Sequence, residues 1–317
     1  MHIVNRDLMT EPMTAASRPA ALLLNRSVLS RRMRSLYRDI KVTLNQYRAK
    51  DFDRLPVRFI VSTGRTGTQF FESFFNSNFP DVLCLHEPAP DGFDIGIRKI
   101  REKTIVADIV RHLHSSRAPI LSRLKRRHAK FYVESNPFFS LLIPELRRAF
   151  PAARFLWIVR NPTAYVVSAY NKSPVGDNKM FFYAENDHRA RITAMDFPDD
   201  PWRKDWPGFD RFQKVCWYWN KCNEILARDF GNRDDFLLLK FEDLFGAENG
   251  FQGIFKMLEF FQISGADRIN NAAFDLLMKR STNSSKRILL QGADRWNAKQ
   301  RTDFHTLTHP MRQTLGY

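Results

Sequence analysis

Residues 57–62 read Val-Arg-Phe-Ile-Val-Ser, a β-branched and aromatic run that predicts a strand. A small-residue loop follows it, and then a helical pattern through 69–76. Short apolar runs at 81–85, 131–134, 154–159 and 236–241 predict four more strands. The run at 154–159 is almost wholly apolar, as expected of a strand covered on both faces. Helical patterns fill the gaps at 95–130, from Pro137 to Phe150, at 162–170 and at 209–230. Residues 174–207 mix Asp, Pro and aromatic positions and read as an insertion or lid.

Upstream, residues 1–20 read as a loose tail. Over 22–48, Leu29, Met33, Tyr37, Ile40, Leu44 and Tyr47 recur at spacings of three and four, with Arg and Lys between them. That basic amphipathic helix either packs on its own domain or a second subunit, or lies on an anionic membrane surface.

Strands alternating with helices predict an α/β fold, with a parallel sheet of about five strands flanked by helices. The expected division is an N-terminal tail and helical arm over 1–55 and one domain over 56–317. Ligands of such sheets bind beyond the carboxyl ends of the strands. Attention therefore falls on the loops after Val61, Leu85, Glu134 and Val159.

Composition narrows the class. With 317 residues, 28 of them Phe and 6 Trp, the chain can bury a large core. A net charge of +16 attracts anionic substrates, lipids or polyanions. No zinc-finger spacing, aromatic RNA-binding run or helix-turn-helix accompanies it, and the cations fall in separate clusters such as Arg123, Lys125, Arg126, Arg127 and Lys130. Nucleic acid is therefore not the expected partner. Cys84, Cys216 and Cys222 form no disulfide framework or metal pattern and read as buried thiols of a reducing compartment. No apolar run reaches the length of a membrane span, and the start lacks a secretory layout, so a cytoplasmic location is expected.

Two loops carry the chemistry. In Ser62-Thr-Gly-Arg-Thr-Gly-Thr-Gln69, Gly64 and Gly67 permit a tight turn that aims backbone N–H groups inward. Thr66, Thr68 and Gln69 add donors at a helix N-terminus, and Arg65 adds fixed charge. Two glycines alone would fit an ordinary turn; the clustered donors point to a phosphate or sulfate cradle. A triphosphate loop would carry Lys before Thr68, and the strand at 154–159 would end in a magnesium-holding Asp; both are missing. In the second loop, Arg160 leaves a buried strand and Asn161-Pro162 starts a helix. Ser168 lies two turns on, so Arg160 and Ser168 suit a phosphate monoester.

Arg65-Thr66-Gly67-Thr68 resembles the 5′-phosphosulfate loop of sulfotransferases that use 3′-phosphoadenosine 5′-phosphosulfate (PAPS). Val159-Arg160-Asn161-Pro162 with Ser168 is similar to their 3′-phosphate site. The segment 239–244, containing Phe241-Glu242-Asp243-Leu244, looks like the strand end that closes their sheet. The resemblance implies a P-loop-NTPase-like sulfotransferase fold, a nucleotide sulfate donor, a hydroxyl acceptor and no metal. Cytosolic small-molecule members carry Lys where Arg65 stands, so the chain looks more like the carbohydrate and bacterial branches. Their Gly-rich carboxyl-terminal segment is not obvious; Asn283, Ser284, Ser285, Lys286 and Arg287 are the candidates to replace it, with Lys286 and Arg287 on the 3′-phosphate.

The carbohydrate branch implies Glu87, in Leu85-His-Glu-Pro-Ala-Pro90, as the general base; His86 is its rival on position. It also implies an acceptor on a glycan or glycolipid. Ser135 and Asn136 either contact a ligand or cap the following helix. Trp217 and Trp219 read as core. Two alternatives are a P-loop phosphotransferase and a basic polyanion- or membrane-binding module.

Overall fold

The computed structural model describes residues 50–89, 91–172, 182, 191–246, 250–269 and 288–317. The helix read over 22–48, residues 174–181 and 183–190 of the segment 174–207, and Lys286 and Arg287 lie outside them.

Five parallel strands form one sheet: β1 (Val57–Ser62), β2 (Val82–His86), β3 (Phe131–Ser135), β4 (Arg154–Val159) and β5 (Phe236–Lys240), in the order β2-β3-β1-β4-β5. Among the described residues, the α-helices of five residues or more are α1 (Thr68–Asn78), α2 (Gly92–Glu102), α3 (Val106–Arg127), α4 (Ile143–Ala149), α5 (Pro162–Tyr170), α6 (Arg211–Phe230), α7 (Phe241–Phe245), α8 (Gly250–Phe261) and α9 (Ala298–Thr314). Among the described residues no helix is long and apolar enough to cross a membrane.

Alternation along the strands builds two cores. Val57, Phe59 and Val61 pack on one face with Leu113 of α3, Leu146 of α4, Val166 of α5, Leu226 of α6 and Leu307 of α9. Ile60, Cys84 and Leu156 pack on the other with α1 and α8. Phe70, Phe71, Phe74 and Phe75 give α1 its apolar face and lie against this second side. Burial of each such ring is worth about 1.5–3 kcal/mol. On the open edge of β2, Asn76 of α1 stands in for a neighbouring strand: its side chain donates to Cys84 O (2.8 Å) and accepts from Cys84 N (3.2 Å).

This layering positions the site. The helix after β1 lies on one face, whereas those after its neighbours β3 and β4 lie on the other. Crevices therefore open on both sides of the carboxyl end of β1, where open parallel sheets bind ligands.

Two expectations are corrected. The pattern at 95–130 is two helices, not one: α2 stops at Lys103, which takes a left-handed conformation (φ 49°) with neither Gly nor Pro to mark it. The strand predicted over 236–241 stops one residue short, at Lys240, and the rest of 239–244 turns into α7. Trp217 and Trp219 are core, at 2% and 0% exposure.

Candidate functional site

At the end of β1, Gly64 (φ 85°), Arg65 (φ 58°) and Gly67 (φ 69°) all take left-handed backbone. Ser62 shapes the turn, its hydroxyl accepting from Gly64 N (3.0 Å) and Thr66 Oγ1 (2.7 Å). The Thr66 side chain is thus spent inside the loop, fully buried, whereas Gln69 is exposed. Gly67 opens α1 with no side-chain cap and no acidic residue in the first turn. By contrast, α5 is capped by its own Asn161, whose Oδ1 accepts from Thr163 N and Ala164 N. Of the two helix starts in this crevice, only that of α1 offers its positive end to an anion.

Gly67 also touches aromatic rings: a Cβ there would sit 3.0 Å from Phe245 Cζ. Gly67→Ala combines that crowding with left-handed strain, so it should cost about 1–2 kcal/mol. Thermal unfolding checks this; an unchanged Tm would mean that the turn relaxes freely.

The second loop reaches the first. Arg65 Nε donates to Ser168 Oγ (3.1 Å), and Arg160 Nη1 donates to the Arg65 carbonyl (2.7 Å). Ser168 therefore meets Arg65 rather than Arg160, with which it was paired on spacing. The Arg160 carbonyl accepts from Trp219 Nε1 (3.1 Å), and its guanidinium lies 4.5 Å from the Phe241 ring centre. Glu242 anchors the strand exit, accepting from Asn161 N (3.0 Å) and Tyr317 OH (2.9 Å).

Among the described residues, the cluster gathers Arg65, Arg160 and Lys172, with Glu242 beside Arg160. Burial, then the Arg160 guanidinium, lowers the pKa of Arg65; burial lowers that of Arg160 despite Glu242. Arg160 Nε is buried with no hydrogen-bond partner among the described residues. Lys172, missed in the sequence because it follows the helix rather than the loop, is lowered by burial and then by Arg65. Desolvated cations held together with an orphaned donor form a site to which an anion adds binding energy.

On the other side of β1, His86 ends β2 and Glu87 follows it. Ser135 connects them to the loop. Its carbonyl accepts from Glu87 N (3.1 Å) and lies 3.0 Å from His86 Nδ1, and its hydroxyl donates to Thr68 O (2.8 Å) at the start of α1. Glu87 has φ 45° immediately before Pro88. Left-handed backbone at a non-glycine residue costs on the order of 1–2 kcal/mol and persists where its surroundings enforce it. Asn136 acts as the cap, accepting from Phe138 N. Lys286 and Arg287 cannot be placed, being outside the described residues.

The sequence profile of the sulfotransferase family matches residues 56–251. The chain belongs to the sulfotransferase family. Solved sulfotransferases are similar to it at low identity. The sulfotransferase domain from the curacin biosynthetic pathway is 10% identical, with 82% of this chain and 97% of that one covered and a TM-score of 0.43. STF1 from Mycobacterium tuberculosis H37Rv is 12% identical over 85% and 82% of the two chains, with a TM-score of 0.43. The Alicyclobacillus acidocaldarius sulfotransferase is 17% identical over 80% and 95%, with a TM-score of 0.39. No curated protein matches the chain.

Behind this sulfotransferase's site lies a buried ion cluster that the sequence did not disclose. Arg117 of α3 donates to both oxygens of Glu134 (3.1 and 2.7 Å) and to Asp91 Oδ2 (2.5 Å). Tyr132 OH and Asn136 Nδ2 also donate to Glu134. Glu134 is thereby occupied as a structural ligand, and the cluster ties the end of β3 to Asp91, just beyond the His86–Glu87 loop.

Proposed function

We propose that the enzyme transfers a sulfonyl group from PAPS to an acceptor hydroxyl, releasing adenosine 3′,5′-bisphosphate. The observation that carries this reading is the junction of two cationic loops, Arg65 on Ser168 and Arg160 on Arg65, around the buried Arg160 Nε, which has no partner among the described residues. A donor with phosphate at each end of one nucleoside suits such a pair of sites. Gly64, Arg65, Thr66, Gly67, Thr68 and Gln69 would hold the 5′-phosphosulfate, chiefly through backbone N–H groups and the Arg65 charge. Arg160 and Ser168 would hold the 3′-phosphate, with Lys172 nearby and Lys286 and Arg287 assigned from the family resemblance. When bound, the donor supplies a sulfonyl group activated by its anhydride link to phosphate. Fixed cations stabilise charge developing on the leaving oxygen. Glu87 would take the acceptor's proton.

A sugar hydroxyl on a glycan or glycolipid is the acceptor we propose, from the resemblance to the carbohydrate branch. The net charge of +16 and the exposed Arg123, Arg126 and Arg127 at the end of α3 favour an anionic surface as neighbour. A cytoplasmic location, with the basic segment 22–48 as the part of the chain that would meet a membrane, fits that reading.

Adenosine 3′,5′-bisphosphate at about 100 times its Kd should stabilise the protein by about 2.7 kcal/mol. That is a rise in Tm on the order of 5 °C. ATP with magnesium should do much less in the same thermal-shift measurement. Equal stabilisation by both would favour a nucleotide phosphotransferase instead.

A further inference from the structure

His86 and Glu87 face each other in a way that a lone carboxylate base does not need. His86 Nδ1 lies 3.0 Å from the Ser135 carbonyl oxygen. A carbonyl only accepts, so Nδ1 carries the hydrogen and Nε2 of the neutral ring is left as an acceptor. Nε2 is 3.5 Å from Glu87 Oε1, and an ionised carboxylate also only accepts. Two lone-pair groups thus confront each other, and the contact becomes attractive only with a proton between them.

The backbone enforces this. His86 is in register with Ser135 across the β2–β3 ladder, and Glu87 N donates to the same carbonyl that holds the ring. The two side chains also differ in access: Glu87 is 32% exposed and His86 14%. Glu87 is the member open to an incoming hydroxyl, with the imidazole behind it.

We infer that His86 is the proton store of the site, resting on the sulfonyl-transfer reading above. The acceptor O–H bond breaks as its proton moves to Glu87, and the acceptor oxygen forms its bond to sulfur. The bond from sulfur to the leaving phosphate oxygen breaks, and that oxygen keeps the electron pair. The proton then passes from Glu87 to His86 Nε2, leaving a carboxylate–imidazolium pair until product departs. His86 does not touch the acceptor in this scheme; it acts through Glu87, as a positioning residue.

Two measurements test it. In protein labelled with nitrogen-15 histidine, the ring signal that vanishes in His86→Asn should report an Nδ1-protonated neutral ring in the resting enzyme; a neutral Nε2–H ring, or a resting imidazolium whose Nε2 is already filled, overturns the inference. In turnover, the Asn amide can still donate to the Ser135 carbonyl but has no group in place of Nε2. His86→Asn should therefore keep the thermal shift with adenosine 3′,5′-bisphosphate and the acceptor KM. Its kcat toward an alkyl galactoside should fall about tenfold to a hundredfold. With p-nitrophenol, ionised in mildly alkaline buffer and without a proton to give, kcat should hold. Full kcat of His86→Asn toward the galactoside, with Glu87→Gln inactive, overturns the proton store alone. Full kcat in Glu87→Gln overturns the carboxylate-base reading beneath it.

Discussion

Glu87→Gln should lower sulfonyl transfer by about 10²–10⁴-fold while leaving adenosine 3′,5′-bisphosphate affinity unchanged. The amide keeps the size of the side chain and can follow the same backbone, but its oxygen is too weak a base to take a proton. Nucleotide affinity should hold because the cationic junction at Arg65, Arg160 and Ser168 belongs to the other side of β1. Calorimetry with the bisphosphate and steady-state kinetics with the alkyl galactoside separate the two quantities. If affinity falls as far as turnover does, the substitution has disturbed the Ser135 connection between the halves of the site, and the base assignment loses its support.

Arg117→Met should destabilise the fold by about 3–5 kcal/mol, because it leaves the buried carboxylates of Asp91 and Glu134 without the Arg117 charge between them. Arg117 is 1% exposed and Glu134 0%, so water cannot take its place. Replacing all three with apolar or neutral groups (Arg117→Met, Glu134→Gln, Asp91→Asn) should recover much of the loss, since a buried ion cluster is weak evidence of net stabilisation. The pH response gives a second check. Burial alone would raise the Asp91 carboxyl; Arg117, with hydrogen bonds from His112, Arg117 and Ser116, instead holds it below the ordinary carboxylate range. A depressed folded value contributes stability that is complete above the unfolded value of about 4 and lost as pH falls toward the folded one. The native protein should therefore weaken on acidification through this group. In Arg117→Met the sign reverses: the two buried carboxylates prefer the neutral form, and mild acid should restore stability. Denaturant titrations at several pH values read this directly, and parallel pH profiles would refute it.

The parts legible in the sequence were those whose determinants are local. The strands are mostly apolar runs, and the burial of β1 to β4 follows from helices on both sides, whereas the edge strand β5 stays partly exposed, with Leu238 at 37%. The anion loop compresses glycines, Arg65 and the start of α1 into a few positions, so its geometry is written where it acts. The ion cluster is different: Asp91, Arg117 and Glu134 come from three separate elements, and nothing near any one of them announces the other two. The break between α2 and α3 was hidden because Lys103 adopts a conformation usually marked by glycine. Lys172 was missed because it joins the cationic cluster only through the path of α5. The carboxyl-terminal helix α9 went unassigned, although Phe304, Leu307 and Met311 recur at helical spacing and Trp296 wedges between Phe212 and Phe304.

The left-handed backbone at Glu87 bears on how this enzyme could be made more robust. Glycine would accept that conformation at less steric cost, so a heat-challenge library scored only on survival should enrich Glu87→Gly. Such winners would be the least active variants in the pool. Selection for thermostability would then erode turnover first at this position, and a screen on this chain should hold position 87 fixed.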